Sequence, residues 1–564
     1  NGSADNDDQA SGIAVDVSGN VYVTGYTSQM DYVGDYLTIV YRSSGEEKWK
    51  ANYRTDGYSS DQATAMVMDD SGDVYITGAS ISSVTKDDYA TIKVNSAGVI
   101  QWIARYNGTA NGVDHPMAIA LDKTNNVYVT GQSYGQDNTY DFTTVKYNSS
   151  GVEQWNARYN GSGGGDDRPV AVGVDNFGNV YVTGESPGAG SSSDYLTIKY
   201  NSSGVQQWVA RFNAQGNGSD YPKAMVIDGA GCIYVTGSCY YLNKGLDYTT
   251  VKYDNSGNLR WWRRFVGATN ADDIATAMAI DDSANIYITG YHNISTSGND
   301  FLTLKYDSSG NDLWEVRYDI NAGNQFASAI TIDKQGNIIV TGYGENENYY
   351  YDYITIKYNN QGDGQWVATY NGPSNGYDYA RSITTDDAGN AYVAGYSSTG
   401  IQNTFVTVKY NTYGDQQWVA TYNKLSSTDD KAFAVAADNT GSVIVGGTTS
   451  FSGSVYTVIK YTQLSVGIED KEKYLPNEYR LYQNFPNPFN PSSTFNFDIK
   501  NTGHVKITIY NTLGQGITDV INEVKEPGSY SKVWNALGLA SGLYIYRMEF
   551  NGVVVDSKKM ILMK

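Results

Sequence analysis

The chain has 564 residues, a net charge of −21, 60 Gly and 51 Tyr, and only 18% of its residues are charged. So acidic a chain is a poor partner for nucleic acid or an anionic bilayer. It also contains no run of about eighteen apolar residues that would span a membrane. Abundant Gly, Tyr, Asn, Asp and Ser with few clustered helix formers fits many short strands joined by tight turns.

The chain opens at Asn1-Gly2, inside what reads as a repeat and with no signal peptide ahead of it, so a processed or truncated form is expected. The repeat is phased on the glycine of VYVTG, which falls at Gly25, Gly78, Gly131, Gly184, Gly237, Gly290, Gly342, Gly395 and Gly447. A spacing of 52 or 53 residues held eight times marks a repeat architecture. Each unit predicts four strands, as in ATAMVMD (63–69), VYITG (74–78), DYATIKV (88–94) and QWIARYNG (101–108). A DxxGN turn joins the first pair and an NSSG-like turn the last. Both faces of these strands are partly apolar, as in sheets covered on both sides. An all-β fold follows: a β-propeller of four-stranded blades, with nine repeats giving nine blades.

Blade position follows from residue size. The first strand carries Ala and Gly (Ala63, Ala65, Ala171, Gly173), as a crowded inner strand should. The fourth carries Trp in eight units: Trp49, Trp102, Trp155, Trp208, Trp261, Trp314, Trp366 and Trp418. That bulk suits the outer rim, where diverging blades leave a gap. The ninth unit stops after its third strand (456–463) and has no Trp strand. A strand upstream of Asn1, or one from a neighbour, is expected to complete it. Nine blades exceeds the usual four to eight, and a smaller ring with extra units stays open. Cys232 and Cys239 flank one strand about 23 Å apart, too far for a disulfide. Two free thiols are expected.

The segments GNVYVTG and DYxTIKYN resemble the bacterial SBBP-type β-propeller repeat across about residues 5–461. The resemblance implies the propeller fold and no particular activity. With it the chain divides into a repeat domain (1–463), a polar linker (464–479) and a last domain (480–564). That last domain predicts about seven short strands and a small C-terminal β-sandwich. Its Pro-rich entry, NFPNPFNP (484–491), cannot sit inside a central strand. This box, with IYNTLGQ (509–515), SGLYIYRM (541–548) and the SKKMILMK end, resembles the type A sorting domain of the type IX secretion system. The resemblance implies handling by the type IX machinery and export across the outer membrane of a Gram-negative bacterium, to a secreted or cell-surface location. Residues 464–564 carry a net charge of +1, so the repeats carry −22.

Three Asp columns recur. The first, including Asp69, Asp122 and Asp175, opens the DxxGN turn and reads as structural. The second comprises Asp8, Asp61, Asp114, Asp167, Asp220, Asp273, Asp378 and Asp430, with Gln325 in the seventh unit. One reading is a ring of carboxylates holding cations at a channel mouth; the other is fold maintenance. Ca²⁺ is the candidate, needing about six to eight oxygens, although no compact Asp-rich loop is present; otherwise no cofactor is implied. The third, including Asp141 and Asp194, opens the third strand and reads as a strand-entry residue.

No serine elbow, zinc-ligand cluster or phosphate loop is present, so the chain reads as non-enzymatic. The two variable connections of each unit lie on one face of the disc, and loops on a rigid scaffold commonly bind. Their tyrosines and acids supply the candidate residues: Tyr134, Asp137, Tyr140, Tyr240, Tyr241, Tyr349, Tyr350 and Tyr351. The expected function is binding or scaffolding toward extracellular glycan or surface protein, with self-association through the unfinished blade. The alternative is a glycan-active hydrolase built on loop carboxylate pairs.

Overall fold

The computed structural model describes the chain apart from residues 1–7, 29–33, 56–59, 83–84, 243, 268–269, 295–297, 320–322, 399, 401, 424–428, 439–440, 451–453, 463–477, 485–486, 488, 490, 537 and 564. Every named element is a β-strand. Each sequence repeat forms one sheet, numbered here as blades one to nine in chain order. The first eight have four strands in up-and-down order, and the ninth has three. In the third blade the strands are Asp114–Leu121, Val127–Tyr134, Tyr140–Tyr147 and Glu153–Tyr159. The first strands of successive blades contact one another in order, and that of the ninth, Lys431–Ala437, contacts that of the first, Asp8–Val15. There Ile444 packs with Val21 and Val23 in one cluster.

The phasing glycine is required by close approach. A bulge shifts the first strand against the second at Thr130/Gly131. A methyl on Gly131 would overlap the His115 carbonyl, the Pro116 Cα (2.5 Å) and the Tyr89 hydroxyl of the preceding blade (2.7 Å). The first Asp column closes the first turn as expected. Asp122 accepts the Thr124 and Asn126 N–H groups at 2.8 and 3.0 Å and the Tyr128 hydroxyl at 2.9 Å. Burial opposes ionisation of Asp122, but hydrogen bonds from Asn126 and Thr124 win and hold its pKa below the ordinary value.

Trp crosses between blades rather than merely filling the rim. Trp155 donates its Nε1–H to the Ser202 carbonyl in the next blade's last turn (3.1 Å). Its ring covers Gly204 of that turn, which has φ +80°, and lies 5.9 Å from Tyr200. The same contact recurs from Trp49, Trp102, Trp208 and Trp261 to Ser96, Ser149, Asn255 and Ser308. Each of the first five blades is thus bolted to its successor by one indole. Cys232 and Cys239 are both free.

The C-terminal unit has seven strands in two sheets. Both contribute to one apolar core, which includes Phe495, Phe497, Ile507, Ile509, Tyr546 and Met560. Within the Pro-rich segment, Phe489 is pinned beside the last strand. Phe489 donates to the Ile561 carbonyl at 2.9 Å and its own carbonyl accepts from Met563 at 2.9 Å. Asn484 is buried, bonding Ser493 Oγ (2.8 Å) and the Tyr546 hydroxyl (2.6 Å).

Candidate binding face

Beneath the variable loops, blades two to four carry a buried polar belt, with one residue from each strand. In the third blade these are Asp114, Ser133, Asp141 and Arg158. Arg158 donates to Asp141 at 2.5 Å, to Ser133 Oγ at 3.0 Å and to the Ser133 carbonyl at 2.8 Å. Asp114 accepts the Gly108 N–H at 2.6 Å and the Tyr134 N–H at 3.2 Å, clamping both variable connections. Arg105–Asp88, Arg211–Asp194 and Arg264–Asp247 repeat the ion pair. Sequence reasoning missed these arginines. Arg158 pairs directly with Thr143, and so stands diagonal to Asp141 on the same face. The signal was present: Arg occupies one position of the fourth strand in blades two to six.

In this geometry the second Asp column lies inside the fold, capping donors of the neighbouring loop and strand. Asp61, Asp114, Asp167, Asp220, Asp273, Asp378 and Asp430 are all fully buried. Asp61, Asp167, Asp220 and Asp378 accept from Thr55, Gly161, Ala214 and Gly372, while Asp273 holds His292 at 2.6 Å. Each of these bonds stays within the loop and second strand that neighbour the carboxylate in sequence. The Asp8 side chain lies outside the described residues. Among the described residues no group of three or more His, Cys, Asp or Glu is arranged to hold a metal.

Burial has an electrostatic consequence. It pushes Asp167, Asp220, Asp247 and Asp352 up to about 6 and Asp300 to about 7. A carboxyl whose folded pKa exceeds its unfolded value binds more protons folded than unfolded between the two. Its contribution to stability is complete below about pH 4 and is lost as pH rises through 6 to 7. The thermal midpoint is therefore expected to be higher at pH 5 than at pH 7.5. A scan across that window that rises with pH would contradict the assignment.

One residue further from the loops than the belt, one pair of positions varies from blade to blade: the residue after the phasing glycine and its partner on the first strand. Going around, these are Gln62/Ala79, His115/Gln132, Arg168/Glu185, Tyr221/Ser238, Ile274/Tyr291, Phe326/Tyr343, Tyr379/Tyr396 and Lys431/Thr448. In blades six to eight they become an aromatic arc. Tyr291 meets Phe326 at 4.9 Å, Tyr343 meets Tyr379 at 4.9 Å, and Tyr379 meets Tyr396 at 5.1 Å between centroids. Tyr351 adds rings at 5.2 Å from Tyr343 and 5.7 Å from Tyr377, and Tyr350 lies 5.1 Å from Tyr377. Arg381 is exposed, lies 5.5 Å over Tyr379 and donates to the Tyr396 hydroxyl at 3.0 Å. Burial, with Glu345 beside it, pushes the Tyr351 hydroxyl up to about 12.

The expected loop residues divide among three places. Tyr350 and Tyr351 join the arc, while Tyr349 is 80% exposed with φ +63°. Tyr134 and Tyr140 form their own edge-on pair at 5.3 Å in blade three, where Asp137 accepts from Asn160 at 2.6 Å. Tyr240, half-buried in blade five, packs over Gly218. Tyr241 is not a surface residue: it is buried, its hydroxyl pairs with Thr249 at 3.2 Å, and Arg264 covers its ring at 3.6 Å. The arc's strand residues Tyr291, Phe326, Tyr343, Tyr379 and Tyr396 lay outside the sequence expectation. Variation at one position of an otherwise constant strand was the signal for them.

Four-stranded up-and-down blades that follow one another in order define a repeat-propeller protein. Residues 2–31, 261–301 and 365–401 match the SBBP beta-propeller repeat family, and residues 483–563 match the secretion system C-terminal sorting domain family. The chain thus carries SBBP-type β-propeller repeats and a secretion-system C-terminal sorting domain, which mark a secreted or outer-membrane-surface protein. No helix among the described residues is long and apolar enough to cross a membrane. No curated protein matches the chain. Among solved structures it is similar to a eukaryotic initiation factor (8% identity, 73% of this chain and 88% of the other, TM-score 0.43). It is also similar to a polysaccharide lyase, PL25 ulvan lyase (11%, 60% and 90%, TM-score 0.37). A third likeness is to the β-propeller domain of the Trilobed protease from Pyrococcus furiosus (9%, 62% and 95%, TM-score 0.35). Scores this low say nothing about what this chain binds or does.

Proposed function

We propose that the protein is a non-enzymatic binding protein of the cell exterior and that the arc in blades six to eight takes a neutral glycan. The observation that carries this reading is the aromatic continuity from Tyr291 to Tyr396 across three blades. Tyr offers a flat apolar face to the C–H side of a sugar ring and a hydroxyl to its rim, at low entropic cost. Arg381 adds exposed donors for sugar hydroxyls. The −22 charge of the repeats disfavours a polyanionic chain. Nearby carboxylates are committed: Glu345 accepts from Asn324 twice, at 3.0 and 3.1 Å, and Asp429 holds Lys431 at 2.6 Å. That favours binding over acid–base cleavage.

Calorimetric titration with neutral gluco- and xylo-oligosaccharides tests this. Tyr379→Ala and Tyr351→Ala are each expected to weaken binding by about tenfold or more, with the fold intact by circular dichroism. Unchanged affinity in both variants, or binding confined to sulfated or uronic glycans, would overturn the reading.

A further inference from the structure

Blade six departs from its neighbours in the buried belt. Where blades two to four carry Ser80, Ser133 and Ser186, each bonded to an arginine, blade six carries His292. His292 is fully buried. Its Nδ1 holds Asp273 at 2.6 Å, and its Nε2 has no hydrogen-bond partner among the described residues. It stands directly across from Asp300 on the third strand, Gly298–Tyr306. Asp300 is buried too, and its Oδ1 likewise has no partner there. Arg317 occupies the position from which Arg105, Arg158, Arg211 and Arg264 hold the matching carboxylate. It pairs instead with the exposed Glu315 at 2.7 Å. His292 and Arg317 both pack on Phe265, each 5.1 Å from its ring. Two buried carboxylates therefore share one imidazole here, where each of those blades supplies a guanidinium.

We propose that the His292–Asp300 pair is a proton switch for the aromatic arc, fixing its blade-six end when one proton is bound and loosening it when that proton leaves. The proposal rests on the arc being the binding face and adds its regulation. With the proton bound, an imidazolium lies among Asp273 and Asp300 and does the work of the missing guanidinium. Without it, buried carboxylates face a neutral ring, which is costly. The change reaches the arc through one peptide bond. His292 follows Tyr291, whose ring meets Phe326 at 4.9 Å, and Asp273 also holds the Asn293 N–H at 3.0 Å. The other charged or titratable groups around the pair are Asp319 and Arg317 in blade six, with Asp247, its partner Arg264, and Tyr248 in blade five. Burial and Asp319 push the Asp300 carboxyl up to about 7 against His292 and Arg317, so the proton leaves as pH rises through neutrality.

The full chain has three histidines, His115, His292 and His504, so their ring signals can be followed by NMR in a histidine-labelled sample from pH 5 to 9. The His292 signal, assigned by its absence in His292→Ser, is expected to report the pair's step at about pH 7. Amide exchange of Tyr291–Asn293, corrected for its intrinsic pH dependence, should quicken from pH 6 to pH 8 in the native chain and stay level in Asp300→Asn. Affinity for a neutral oligosaccharide should fall about three- to tenfold over the same interval, and again stay level in Asp300→Asn. A His292 signal that does not move, exchange or measurable affinity that is equal at pH 6 and pH 8, or pH dependence that survives Asp300→Asn would each overturn the switch. No oligosaccharide binding at either pH would overturn the glycan reading instead, and the ring signals and amide exchange would still decide the switch.

Discussion

Trp261→Ala is expected to destabilise the propeller by about 3–5 kcal/mol, the range for truncating a buried aromatic, read as a fall in the urea midpoint. Trp261 is 8% exposed and its ring packs at a tilt between Tyr234 at 5.9 Å and Tyr306 at 6.1 Å. Its Nε1–H reaches the Ser308 carbonyl at 3.2 Å, and Gly310 lies against its face. The rigid turn of blade six cannot collapse into the space left, because its glycine is held at φ +81° by the turn itself. Trp261→Phe keeps most of the ring contact and drops one hydrogen bond, so it should cost markedly less, about 1–2 kcal/mol. Equal losses in the two variants would show that the indole N–H, rather than the ring, joins the blades. Amide exchange should rise first between blades five and six in Trp261→Ala.

Arg211→Leu should cost a comparable 3–5 kcal/mol near pH 8, the usual loss when one partner of a buried ion pair is removed. The guanidinium holds Asp194 at 3.0 Å, Ser186 Oγ at 2.8 Å and the Ser186 carbonyl, and the Asp194 side chain is fully buried. Leucine leaves the carboxylate without its counter-charge and the carbonyl without its donor. Burial already pushes the Asp194 carboxyl upward, and loss of the arginine removes the attraction that opposes it. The variant should therefore regain stability as pH falls, because protonation of the carboxyl removes the buried charge. Arg211→Leu combined with Asp194→Asn should be less destabilised near pH 8 than Arg211→Leu alone. Thermal unfolding of both variants at pH 5 and pH 8 checks the sign, and a loss independent of pH would place the effect in packing instead.

Much of this architecture is local, and local chemistry is written in the chain. The Asp that opens the first turn, the Gly that meets the bulge and the Val, Ile, Thr and Tyr between them each act within a few residues. The nine units, their four strands and the turn role of the first Asp column could therefore be read directly. The second Asp column was legible as a repeated carboxylate but not as a cap. Whether such a side chain lines a channel or folds back onto Gly108 depends on the bulge and the path of the connection. The same holds for Arg158, which meets Asp141 only because the third and fourth strands pair in one register.

The sequence by itself determined the repeat and the C-terminal sorting unit, because each is a property of composition and spacing. Tertiary structure alone decided where each indole acts and which variable residues gather. Trp155 serves the blade after its own, since neighbouring sheets twist and diverge and the rim contact falls across the gap. Tyr291, Phe326, Tyr343, Tyr379 and Tyr396 are separated by up to 105 residues in the chain. They form one aromatic surface because ring stacking of blades brings the same strand position of three consecutive units within van der Waals reach.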